Sequence, residues 1–154
     1  EVGEICVRGP QVMKGYLRNP EETSNTIRNG WLHSGDLGRF DDEGYLYIVD
    51  RKKDMIIRGG ENIYPIEIEE VLYQMPEILE AAVVGIPHEV YGEVPKAFVV
   101  LKEGQALTET DILNYMKTQL AKYKVPAEIQ FIASLPRNAS GKVLKHTLRP
   151  TQNV

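Results

Sequence analysis

Cysteine is almost missing from this chain: Cys6 is the only one in 154 residues. An intrachain disulfide is thereby excluded, and the usage fits a reducing compartment, so a cytoplasmic location is expected. No stretch approaches the roughly 20 apolar residues that a membrane-spanning helix needs, and none reads as a charged-then-apolar leader. Positive charge is not in excess either. The 18 Lys and Arg are outnumbered by 22 Asp and Glu, giving a formal net charge of -4. Nucleic acid is therefore not an expected partner, because nothing in the bulk electrostatics favours a phosphate backbone. His33, His88 and His146 are scattered and show no metal-ligand spacing with Cys6, so no metal site is expected and Cys6 reads as a packing residue. Internal repeats and low-complexity tracts are absent.

What is present describes a globular protein: 42% hydrophobic and 26% charged residues. The length suits one full domain, or a small domain joined to a piece of another. The chain opens at Glu1 directly in strand-like sequence, which suggests a segment of a longer polypeptide.

Glu4 to Arg8 alternates as a strand should. Asn19 and Pro20 predict the start of a short helix that Asn29-Gly30 ends. The turn Asp41-Asp42-Glu43-Gly44 lies between two apolar runs and predicts a hairpin. After Asp50 the pattern changes. "MIIRGGENIYP" reads as a strand broken at Gly59-Gly60, and a helix from near Pro65 places Ile68, Val71, Leu72 and Met75 on one side. Glu67, Glu69 and Glu70 would face the other way. "LEAAVVGI" and "KAFVVL" read as buried strands. Thr108 and Asp111 predict a capping box opening a helix with Leu113, Met116 and Leu120 on its apolar face. "EIQFI" is a last strand, followed by a loop and a short helix. From residue 54 onward this predicts an α/β (α+β) domain, a small mixed sheet with flanking helices. Residues 1–50 are mostly β and too short for an independent core, so they are expected to be mobile or irregularly packed in isolation.

Four stretches carry candidate chemistry. "GWLHSGD" sets Asp36 after a glycine at the expected start of a strand, where one carboxylate can accept two hydrogen bonds, as from ribose hydroxyls. "VDRKKD" groups Arg51, Lys52 and Lys53, a solvated charge run or a pivot from which Arg51 reaches a nucleotide. The pair Gly59-Gly60 marks either a bulge or close approach by a ligand. "PRNASGKV" presents Lys142 on a Ser-Gly-Lys turn. It is not a P-loop, because Pro136 and Val143 stand where that motif requires Gly and Ser or Thr. A loop lysine can be solvated, or it can lower the barrier between two approaching anions, an effect commonly worth about 3–4 kcal/mol. Taken singly, none of these stretches outweighs its ordinary reading.

Their order is more informative. "GEICVRGPQVMKGYL", "GWLHSGD", "YLYIVDRKKDMIIRGGENIYPIEIE", "KYKVP" and "LPRNASGKVLK" together resemble the C-terminal part of the adenylate-forming enzymes, most closely acyl-CoA synthetases of the fatty-acid and aryl-acid type. The resemblance covers nearly the whole chain. It implies that residues 1–52 are the β-rich end of a large N-terminal domain and residues 53–154 a mobile C-terminal domain. It also implies ATP and CoA as cosubstrates, a small carboxylic acid as substrate, and Mg2+ held by residues outside this chain. Asp36 and Arg51 would bind ATP or AMP, and Lys53 would be the hinge. Gly60 and Gly59, with Arg58, would line the CoA path, and Lys142 would be catalytic in acyl-adenylate formation. Ile57 and Gly59 stand where some relatives carry Lys, which makes Arg58 a candidate substitute for CoA contact.

The phosphate loop, the magnesium-binding Glu and the acyl pocket of that family have no counterpart here. An upstream N-terminal domain is therefore expected to be required, and the chain alone is expected to be inactive. Two other readings stand beside this one: the adenylation domain of a peptide synthetase that delivers to a carrier protein, and a non-catalytic interaction module using the Glu67-Glu69-Glu70 face and the "EVYGEVP" loop.

Overall fold

The computed structural model describes residues 1–150, and the chain divides into two compact units, Glu1–Lys53 and a second beginning at Asp54. The first contains β1 (Gly3–Val7), α1 (Pro20–Thr26), β2 (Ile27–Arg28), β3 (Trp31–Phe40) and β4 (Leu46–Arg51). β1, β2 and β4 all pair antiparallel with β3. Asn19 caps α1 as expected, its Oδ1 accepting from the Glu22 amide at 3.1 Å, with Pro20 at the first helical position.

The end of that helix differs from expectation. It stops at Thr26, and Asn29-Gly30 instead makes a two-residue hairpin turn, with φ of 52° and 78°, between the directly paired Arg28 and Trp31. Left-handed values at both central positions are what a type I′ turn requires, and Asn-Gly meets that requirement as readily as it ends a helix. The turn launches β3 at Trp31, so Asp36 lies within the strand rather than at its start. At the far end of β3, Asp41 closes the second hairpin, its Oδ1 accepting from the amides of Glu43 (3.0 Å) and Tyr45 (2.9 Å).

This unit buries little. Leu37 is its one buried hydrophobic side chain among the described residues, whereas Phe40, Tyr45, Tyr47 and Ile48 are exposed. The sheet is ordered by its hydrogen bonds and carries an apolar surface that its own residues do not cover.

The second unit contains β5 (Ile56–Arg58), β6 (Glu61–Ile63), α2 (Pro65–Tyr73), β7 (Ile78–His88), β8 (Gly92–Leu101), α3 (Glu109–Gln119) and β9 (Glu128–Phe131). Its sheet runs β6-β5-β8-β7, and β9 adds to β8 in parallel, which makes the sheet mixed. "IIRGGENI" is not one broken strand. Gly59 and Gly60, with φ of 59° and 91°, turn the chain back on itself so that Arg58 pairs with Glu61. The strands on either side are three residues long, too short to reveal a hairpin by alternation.

Both sheet faces are buried. Val83, Ala97 and Val99 pack under Ile68, Leu72, Ile112 and Met116 from the two helices. Ala82, Val84, Phe98 and Val100 point the other way and are covered by Leu135, with Val143 and Leu148 beside it. Alternation across the pleat explains why β7 reads as an unbroken apolar run. The capping box is present: Thr108 Oγ1 accepts from the Asp111 amide (3.2 Å) and Asp111 Oδ2 from the Thr108 amide (2.9 Å). Ile112 rather than Leu113 is fully buried with Met116, while Leu113 and Leu120 pack at the margin.

The acidic face expected on α2 is largely consumed internally. Glu67 pairs with Lys124 at 2.6 Å, and Glu69 pairs with Lys145 at 2.7 Å while accepting from the Val83 amide. Burial works against the Lys124 charge, but the hydrogen bond to Glu67 and the attraction of nearby negative charge, Glu67 foremost, together outweigh that and hold its pKa above the usual value. Among the described residues, no helix is long and apolar enough to cross a membrane.

The second unit should respond to truncation in proportion to burial. Leu72→Ala is expected to cost about 2–5 kcal/mol, and Thr108→Ala about 1 kcal/mol through loss of the cap. Urea unfolding followed by circular dichroism checks both, and equal losses would contradict this assignment of core and cap.

Candidate functional site

The first unit brings two of the expected site residues together. Asp36 on β3 and Arg51 on β4 are partners across the strand pair, and Arg51 Nε lies 2.7 Å from Asp36 Oδ1. Both are partly exposed, with 30% and 44% of their side chains accessible, so a ligand can reach them. Ser34 Oγ accepts from the Asp36 amide at 3.0 Å, and the Lys52 amide donates to the Gly35 carbonyl at 2.8 Å. The strand pair thus holds a carboxylate and a guanidinium side by side. Together they can accept hydrogen bonds from vicinal hydroxyls and donate to an anionic oxygen. Lys53 is exposed in the turn that ends this unit.

Beside this pair lies a cluster that spacing alone does not reveal. Cys6 faces His33 across β1 and β3, and Glu4 reaches the same imidazole. His33 Nδ1 donates to Glu4 Oε2 at 3.0 Å, with Cys6 Sγ 3.4 Å from that nitrogen. The three ligand-type atoms lie within 4.8 Å of one another. The Lys52 ammonium, however, sits 2.9 Å from the same Glu4 oxygen and supplies a positive charge there already. The hydrogen bond from His33 and then that from Lys52 hold the Glu4 pKa at about 2, below the ordinary 4.5.

The second unit holds the other candidates, and it separates them. Lys142 is exposed at the end of a tight loop organised by Asn138. Asn138 Oδ1 accepts from the Ser140 amide (3.1 Å), the Ser140 hydroxyl (2.8 Å) and the Lys142 amide (2.9 Å). The Asn138 amide donates to the Lys142 carbonyl at 3.0 Å, and Arg137 bridges to Val143 across the loop. Arg137 ties this assembly to the sheet, donating to the Gly141 carbonyl at 2.7 Å and pairing with Glu80 near the start of β7. Among the described residues the Lys142 ammonium has no ion-pair partner.

The glycine turn meets the opposite end of the same hairpin. The Gly59 amide donates to the Tyr91 carbonyl at 2.8 Å, and Arg58 pairs with Gly92, in the turn where β7 gives way to β8. Glu80 and His88 lie eight residue steps apart along β7, a span of roughly 26 Å at about 3.3 Å per residue. Arg58 is not a free cation reaching for a ligand. Its Nη1 donates to the Tyr123 carbonyl at 2.7 Å, and its guanidinium stacks 4.8 Å from the centre of the Tyr91 ring.

Residues 67–142 match the family model described as the AMP-binding enzyme C-terminal domain. The chain belongs to the AMP-binding, adenylate-forming enzymes and corresponds to their C-terminal portion. The 2-succinylbenzoate–CoA ligase of Bacillus cytotoxicus is 55% identical over 147 residues, which are 96% of this chain and 30% of that relative. Among solved structures, o-succinylbenzoate CoA synthetase from Bacillus subtilis, in complex with its acyl-adenylate intermediate, superposes with a TM-score of 0.89 at 45% identity, covering 99% of this chain and 31% of that one. ATP-bound MatB from Rhodopseudomonas palustris gives 0.91 at 45% identity, with 97% and 30% covered. The chain thus spans about 30% of the length of these relatives.

The depressed Glu4 pKa fixes a pH window. Its stabilisation is complete above the ordinary 4.5 and is lost as pH falls towards about 2. Melting temperature measured across that range should therefore drop more steeply for the unsubstituted protein than for Glu4→Gln, while parallel curves would disprove the coupling.

Proposed function

We propose that this chain is the hinge and mobile C-terminal part of an AMP-forming acid–CoA ligase. In the first step a substrate carboxylate attacks the α-phosphorus of ATP, forming the acyl-adenylate and releasing pyrophosphate. In the second the CoA thiol attacks the acyl carbon, forming the thioester and releasing AMP. Asp36 accepts from the ribose hydroxyls, and Arg51, already held against it, adds a cation beside the nucleotide. Lys142 contacts the phosphate and carboxylate oxygens in the first step. The backbone at Gly59-Gly60 lines the CoA path in the second. The domain boundary falls near Lys53, whose rotation exchanges one arrangement for the other.

The observation that supports this best is the placement of the Lys142 loop and the glycine turn at opposite ends of one rigid strand pair. Two ends of a rigid body cannot serve one reacting centre at the same moment, but they can serve it in turn. The paired Asp36 and Arg51 fit a nucleotide by their donor and acceptor chemistry. No residue of this chain is assigned to magnesium, which the upstream domain would hold. The apolar face of the first unit fits a piece of a larger domain, and catalysis by this chain alone is not expected.

The preferred substrate class is an aryl carboxylic acid, with 2-succinylbenzoate first to be tried because relatives so named share 55% identity with this chain. Free CoA rather than a carrier protein is the acceptor. ATP–pyrophosphate exchange by the full-length polypeptide, across aryl and fatty acids, tests the reading. Lys142→Ala should lower exchange by roughly 10²–10³-fold, the scale of losing one charge-stabilising contact. The same variant should still convert preformed acyl-adenylate and CoA to thioester. If exchange survives the substitution, Lys142 does not have this role; if no acid supports exchange in the unsubstituted enzyme, the ligase reading fails.

A further inference from the structure

We propose that Tyr91, with Arg58, is a positioning residue of the thioester-forming step, holding the Gly59-Gly60 turn in place without touching CoA. The inference rests on the ligase reading above. A turn of two glycines has no side chain with which to anchor itself and loses more backbone freedom on ordering than any other pair. Its position must come from what it leans against, and Tyr91 supplies most of that support.

The Tyr91 carbonyl accepts from the Gly59 amide at 2.8 Å. A Cβ at Gly59 would lie 3.4 Å from Tyr91 Cδ1, so the ring forms a floor under the turn. Gly60 has open space on its outer side, with nothing within 4 Å of where its Cβ would be. One side of the turn is therefore pinned and the other left clear, as a backbone wall along a narrow ligand requires. Arg58 fastens the floor: its guanidinium lies over the Tyr91 ring and its Nη1 bonds the Tyr123 carbonyl.

Tyr91 is itself held from behind. His88 Nδ1 faces the amides of Val90 (3.2 Å) and Tyr91 (3.3 Å), and the His88 and Tyr91 rings lie 5.0 Å apart. Glu93 Oε2 accepts from the Ile57 amide at 3.2 Å, tying the start of β8 to β5. Among the described residues the Tyr91 hydroxyl makes no hydrogen bond, so the ring and not the phenol is the working part. The assignment also revises the role of Arg58: its charge is engaged in fixing the floor instead of being offered to CoA.

The two half-reactions separate this role from a general loss of structure. In the full-length enzyme, Tyr91→Ala should leave ATP–pyrophosphate exchange within about twofold of the unsubstituted enzyme. Thioester formation from preformed acyl-adenylate should fall about tenfold or more in kcat at saturating CoA, because misplacing a ligand wall by an ångström costs up to about a hundredfold. Tyr91→Phe, which keeps the ring and the cation–π contact, should restore the second step to within about twofold. Amide exchange at Gly59 and Gly60 should quicken in the Ala variant and not in the Phe variant. An equal fall in both half-reactions, an unaffected second step, or failure of Phe to rescue overturns the inference. Absence of thioester formation by the unsubstituted enzyme overturns the ligase reading and this inference with it.

Discussion

The antiparallel ladder between β7 and β8 is the constraint on which the second unit depends. It runs from Ile78 opposite Leu101 to His88 opposite Gly92, and its centre is buried on both faces. Helices α2 and α3 cover one side, while the segment leading to and from the Lys142 loop covers the other. A strand pair packed on both sides behaves as a stiff bar, because close-packed interiors transmit displacement and do not absorb it. Whatever is fastened to its ends moves with it. Arg137 fastens one loop near the start of β7, and Tyr91 fastens a turn at the other end.

Much of the second unit was legible because several local signals agreed. Pro65 starts α2, the Thr108 and Asp111 exchange starts α3, and the apolar runs of β7 and β8 are too long and too branched to be anything but central strands. The misreadings share a cause. Asn29-Gly30 satisfies both a helix end and a type I′ turn, and only the pairing of Arg28 with Trp31 decides between them. Gly59-Gly60 looked like an interruption in one strand because the strand after it is just three residues long. Helical spacing puts Glu69 on the side of α2 opposite its apolar stripe, yet it is drawn inward by the Val83 amide and Lys145, partners beyond the helix.

The candidate site divides in the same way. Asp36, Arg51, Gly60 and Lys142 stood out through ordered motifs and the family resemblance, but what each of them touches was not readable. That Arg51 lies against Asp36 follows from the β3–β4 register. That Cys6, His33 and Glu4 meet follows from the register of β1 on β3, and Lys52 reaches Glu4 across 48 positions of sequence. Arg58 offered a charge and the structure gives that charge to Tyr91 and Tyr123. Residue type announces a capability, while the fold decides where it is used. The first unit makes the point most plainly: Phe40, Tyr47 and Ile48 are the composition of a core placed on a surface.

The Asn138 side chain has a consequence for the entropy of the lysine loop. Fixing one backbone residue costs about 1–2 kcal/mol, and a lysine side chain up to about 2 kcal/mol more. Because one amide oxygen already holds the Ser140 and Lys142 amides, the backbone from 138 to 142 is ordered when the chain folds. An anion arriving at Lys142 has only four methylenes left to arrest. The larger ordering cost is borne once, at folding, and does not recur each time the lysine engages and releases.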